Sequence, residues 1–88
     1  METISSIFST LKTPAGELSL RYDLTVRQDD RGRKHFGVAV FDDQGGRAAV
    51  ENLTCSRARA ERFFHRVIRG QVTTVSLRET AEDFVAEP

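Results

Sequence analysis

From Leu18 to Gln28 apolar and polar positions alternate without a break. Leu18, Leu20, Tyr22, Leu24 and Val26 fall on one side of an extended chain, and Ser19, Arg21, Asp23, Thr25 and Arg27 on the other. A period of two predicts a half-buried antiparallel strand. The next run, His35 to Asp42, sets Phe36, Val38 and Val40 against Gly37, Ala39 and Phe41. Apolar residues on both sides predict a central strand. Between the two lies Asp29-Asp30-Arg31-Gly32-Arg33-Lys34, a polar connection whose glycine can take positive φ. Asp43-Gln44-Gly45-Gly46 predicts a second turn, and Arg47 to Leu53 a third strand.

The period then changes. Wound at 100° per residue, Ser56 to Gly70 places Ala60, Phe63, Phe64, Val67 and Ile68 on one stripe. Arg59, Arg62, His65, Arg66 and Arg69 fall opposite, with Ala58 among them. Thr54 and Ser56 are N-cap candidates and Gly70 stands where a C′ residue would. Gln71 to Val75 is rich in β-branched residues and predicts an extended segment that pairs briefly with the sheet. Ser76 and Glu79 have capping-box spacing, and Leu77, Ala81, Phe84 and Val85 fall on one face of a short closing helix.

The N-terminal residues 1–16 are set apart from a single α+β domain over 17–88. Ile4, Ile7, Phe8 and Leu11 have helical spacing, but Ser5, Ser6, Ser9 and Thr10 are poor helix formers, so this segment is expected as a short helix or a flexible end. Thr13-Pro14-Ala15-Gly16 then reads as a linker or turn. The fold class expected is α+β: a three-stranded antiparallel β-meander packed by one amphipathic helix, with a short C-terminal helix.

With 88 residues the chain is one domain at most, and 39% hydrophobic with 30% charged residues places it among ordinary folded chains. A formal net charge of zero argues against a general nucleic-acid coat protein. The single cysteine, Cys55, excludes an intramolecular disulfide and fits a reducing compartment. No apolar run approaches the length needed to span a bilayer, and METISSIFSTLK lacks the basic and apolar regions of a signal peptide. A cytoplasmic protein without membrane contact is the expectation.

The order strand, hairpin, helix, opened by Leu20-Arg21-Tyr22-Asp23-Leu24 and closed by Val75-Ser76-Leu77-Arg78-Glu79-Thr80-Ala81-Glu82-Asp83-Phe84-Val85, resembles a family of small uncharacterised bacterial proteins. That family is known mainly from Gram-positive species as a domain of unknown function. The likeness spans residues 18–86 in layout. The resemblance implies a histidine where Ser76 stands here, so no role of such a histidine passes to this chain. It implies the fold and brings no activity.

The candidate chemistry is sparse. Five arginines against Glu61 over residues 57–69 make a basic face on which Arg59, Arg62, Arg66 and Arg69 are candidates for binding an anionic partner. No aromatic side chain lies among them to stack on bases. Residues 79–88 are acidic, so the terminal helix is expected to lie near the basic one. Cys55 before a helix is a candidate nucleophile, with His35 and His65 the available bases, but nothing in the sequence brings either to it. Neither a metal-ligand spacing nor a phosphate loop is present, and no catalytic residues, cofactor or metal are expected. The expectation is a non-enzymatic interaction or regulatory module with an unknown protein partner or a second copy of itself. Nucleic-acid binding through the arginine face is the alternative. Exposure of Phe41 and Ala39 beside other apolar groups would favour the dimer.

Overall fold

The structure, a computed structural model, describes residues 2–87. Among the described residues four strands precede two helices: β1 (Glu2–Thr13), β2 (Gly16–Gln28), β3 (Lys34–Asp42), β4 (Arg47–Thr54), α1 (Arg57–Arg69) and α2 (Leu77–Ala86). The sheet is antiparallel throughout, in the order β1-β2-β3-β4. The α+β class and the meander of β2, β3 and β4 stand as expected.

The sheet has four strands rather than three because residues 2–13 are neither helical nor a flexible end. Thr13-Pro14-Ala15-Gly16 is a tight hairpin, not a linker. Thr13 pairs with Gly16, its hydroxyl donates to the Gly16 carbonyl at 3.0 Å, and Gly16 takes a φ of 133°. Pro14 suits the turn because its ring already fixes φ. The Ser/Thr content that weakens a helix is tolerated in a strand, and pairing with β2 from Gly16 to Val26 supplies the backbone hydrogen bonds. A register shift between Thr3 and Ser5 lets Ile4 join Ile7 and Leu11 against the core, while Phe8 points the other way.

Both helices cover one face of the sheet. Tyr22, Leu20, Leu24, Phe36, Val38, Val40 and Leu53 meet Ala60, Phe63, Phe64 and Val67 of α1 and Leu77, Ala81 and Phe84 of α2. The stripe read from the sequence is the buried one, with Ile68 partly covered. Burial of each large side chain contributes roughly 1.5–3 kcal/mol. The Phe63 and Phe84 rings, tilted with centroids 5.0 Å apart, join the two helices. Ser56 caps α1, its hydroxyl accepting from the Arg59 amide.

Gln71 to Val75 does not pair with the sheet. The chain turns sharply after α1, with Gln71 at a φ of 50° and the Val72 amide donating to Val67. The Tyr22 hydroxyl donates to the Val72 carbonyl at 2.9 Å, which pins this connection to the core. The capping box on α2 does not form. The Ser76 side chain makes no cap bond, and its carbonyl instead accepts from the Thr80 amide and hydroxyl.

One irregularity shapes the far edge. Phe41 pairs with Arg47 and Val38 with Val50, but Phe36 pairs with Thr54, so β4 carries extra residues opposite Gly37. The strand can arch there because Gly37 has no side chain. A Cβ would lie 2.8 Å from Glu51 Cα and collide with the Val50 carbonyl oxygen.

Candidate functional site

Three groupings of side chains emerge from this frame. The first is the basic face of α1, where Arg59, Arg62, Arg66 and Arg69 are all exposed. They do not act alike. Arg66 donates from Nη1 to Glu87 at 2.7 Å, and its guanidinium lies 5.0 Å from the centre of the Phe84 ring. Arg59 reaches the same ring at 5.5 Å. The Arg66 hydrogen bond holds the Glu87 carboxyl below the usual range, and the charges of Arg59 and Arg62 add to it. The acidic end of the chain thus meets the basic helix at Arg66. Arg62, Arg66 and Arg69 line a shallow hollow with His65 and Gly70, and among the described residues Arg62 and Arg69 make no ion pair. The four candidates therefore divide into a pair gathered on Phe84 and a pair facing water.

The second grouping is the sheet face that neither helix covers. Pairing aligns Phe8, Arg21, Phe41 and Arg47 in one row across all four strands. The next row is Ser6, Asp23, Ala39 and Ala49. The Arg21 guanidinium stacks 4.2 Å from the centre of the Phe41 ring. Its Nε, buried and without a hydrogen bond, lies 3.4 Å from Asp23 Oδ1 in an ion pair that lacks hydrogen-bond geometry. Asp23 also accepts from the Ser6 hydroxyl at 2.7 Å. Long neighbours bury Asp23, Thr25 and Ala39 although no helix lies over them, and Phe41 is half-buried. Phe8 is the exception, 74% exposed. Ala39 therefore does not supply the exposed apolar surface; Phe8 does, from a strand that sequence reading placed outside the domain.

The third grouping joins residues far apart in sequence. Asp29 opens the β2–β3 turn, where its Oδ1 accepts from the amides of Arg31 and Arg33. Its Oδ2 lies 2.9 Å from His35 Nε2 and 3.3 Å from Arg33 Nε. These donors, His35 first, hold the Asp29 carboxyl well below the usual carboxylate range. An ionised carboxylate can only accept, so His35 Nε2 carries the hydrogen. When the ring carries no second proton Nδ1 is an acceptor, and Cys55 Sγ lies 3.6 Å from it, within reach for a sulfur donor. Cys55 is exposed. Sequence reading had the cysteine and the histidine but not their meeting, which the extra residues of β4 create. Continuing the pairing of Val38 with Val50 would set Leu53 opposite His35; the shift brings Cys55 there instead.

Among the described residues no group of three or more His, Cys, Asp or Glu is placed to hold a metal ion. No helix among them is long and apolar enough to cross a membrane.

The chain belongs to a family of unknown function, DUF6514, whose profile matches residues 1–87. The match takes in β1 as well as the later elements. No curated protein and no solved structure matches the chain.

Proposed function

We propose that this member of the family is a non-enzymatic, cytoplasmic protein-interaction module whose contact surface is the uncovered face of the sheet, and that a second copy of the chain is its first partner. The observation that carries the reading is Phe8, a large aromatic side chain 74% exposed in line with the Arg21–Phe41 stack. Exposed aromatic and arginine side chains are what interfaces are built on. Four strands about 4.8 Å apart, each contributing about nine residues at 3.3 Å, give a footprint of about 570 Å² per copy. Two copies together exceed the ~1,000 Å² expected of a specific interface. The face also carries Arg21, Arg27 and Arg47 with Glu17 and Glu51, so a twofold arrangement can bring opposite charges together. Cytoplasmic placement rests on the single cysteine.

Sedimentation equilibrium from about 10 µM to about 1 mM tests the reading, since dimers of this size fall within or below that range. A concentration-dependent dimer is expected. Phe8→Ser should weaken it by at least about 30-fold without loss of fold, because each copy withdraws roughly 2 kcal/mol of aromatic burial. A strict monomer throughout, or a dimer indifferent to Phe8→Ser, overturns it.

The alternative, nucleic-acid binding through Arg59, Arg62, Arg66 and Arg69, draws support from the hollow between Arg62 and Arg69. It is the weaker reading because Arg66 is already engaged by Glu87. Amide shifts with short DNA and RNA, confined to residues 58–70 and reversed by salt, would favour it over the sheet face.

A further inference from the structure

We propose that Cys55, His35 and Asp29 form a thiol site that exchanges with low-molecular-weight disulfides. The three side chains stand in series: thiol, imidazole, carboxylate. The third member is fixed independently of the other two, since Asp29 is locked by two backbone amides and by Arg33. His35 is only about one-fifth exposed, held at the start of β3, while the sulfur is open to solvent. A restrained base beside an accessible nucleophile is the arrangement thiol chemistry needs.

The step balances without a further reactant. The thiol proton passes to His35 Nδ1, and the imidazolium so formed faces the Asp29 carboxylate through Nε2–H. The sulfur attacks one sulfur of the incoming disulfide, a new S–S bond forms, and the old one breaks. The departing thiolate takes the proton back from His35 and leaves as a free thiol, or, where its thiol is acidic as in thionitrobenzoate, leaves as the anion while His35 gives the proton to water. Cys55 is oxidised to a mixed disulfide while half of the small disulfide is reduced. With no second cysteine in the chain to resolve it, the adduct persists until an external thiol removes it. The site therefore records the disulfide content around the protein reversibly. Asp29 is a positioning residue, acting on the sulfur through His35.

His35 pairs with Arg27 on the uncovered face of the sheet, so the test uses protein dilute enough to be monomeric. It compares the native thiol with the same thiol in urea-unfolded protein at pH 7, using dithiobis(nitrobenzoate) as the chromogenic disulfide. A native rate about 10-fold above the unfolded rate, or more, is expected from a positioned base. His35→Gln should bring the native rate down to the unfolded one, and Asp29→Asn should give an intermediate rate. Oxidised glutathione should add one tripeptide per chain by intact mass, released by excess thiol. Equal native and unfolded rates in the unmodified chain overturn the proposal without any variant. So does a folded His35→Gln protein that reacts as fast as the parent.

Discussion

Replacing Gly37 by alanine tests the arch of β4 directly. The added Cβ would lie 2.8 Å from both Glu51 Cα and Glu51 O, and inside contact with the Val50 carbonyl oxygen. These are backbone atoms of a paired strand, so β4 must move by more than half an ångström or lose its local pairing. Overpacking of this kind costs about 1–3 kcal/mol, and rigid backbone puts this case at the upper end. Against it stands the loss of conformational freedom in the unfolded chain, which favours alanine by about 0.4–1 kcal/mol. The steric cost wins, leaving a net destabilisation of about 2–2.5 kcal/mol. In a domain of this size each kcal/mol lowers Tm by about 4–8 °C, so a fall of about 8–20 °C is expected. Gly70→Ala is the control. Gly70 has a φ of −81°, and its added Cβ would lie 3.3 Å from the Arg66 carbonyl oxygen, so it shares the entropic gain with little of the clash. Urea and thermal unfolding of the two variants isolate the steric part. A Gly37→Ala protein as stable as Gly70→Ala would refute the reasoning.

Tyr22→Phe removes the hydroxyl that reaches Val72 and leaves a carbonyl short of its donor, which should cost about 1–2 kcal/mol in urea unfolding; an unchanged midpoint would mean that the tie is not holding the connection after α1. Asp29 provides a pH test. Its carboxyl titrates lower folded than unfolded, so the stability it contributes is present above about pH 4 and lost as pH falls below that value. The drop in urea midpoint between pH 7 and acid should therefore be smaller in Asp29→Asn than in the parent, and equal drops would contradict the assignment.

What could be read from the chain alone was whatever depends on local period. The buried stripe of α1 and the inward side of β2 follow from spacing, and both occupy the core. The first strand was lost because Ile4, Ile7, Phe8 and Leu11 fit a helix equally well in isolation; only the Pro14–Ala15 turn and the length of β2 decide between them. The extended reading of Gln71 to Val75 failed because β propensity says nothing of tertiary ties: the chain turns back at Gln71, and Val72 is held by Val67 and the Tyr22 hydroxyl. At the candidate sites the arginines could be found by composition, but the capture of Arg66 by Glu87 could not, since it depends on how the helices cross. The approach of His35 to Cys55 depends on the register shift, which a count from the Asp43–Gly46 turn would miss. Gly37 was the one available signal, a glycine inside an otherwise unbroken strand.

The order of the elements has a consequence for synthesis. Every strand precedes every helix, so a ribosome completes the sheet before any of its cover exists. At about 5–20 residues per second, the chain from Thr54 to Ala86 takes roughly 2–6 s to make. As they leave the exit tunnel during that interval, Leu20, Tyr22 and Leu24, and after them Val38 and Val40, have only water or other chains to meet until the helices emerge behind them. Hairpins joined by short turns can zip far faster than this, so the sheet waits for its helices rather than the reverse. Birth of this protein thus passes through an open amphipathic sheet, and crowding of nascent copies on one message is the moment of greatest exposure to its own kind.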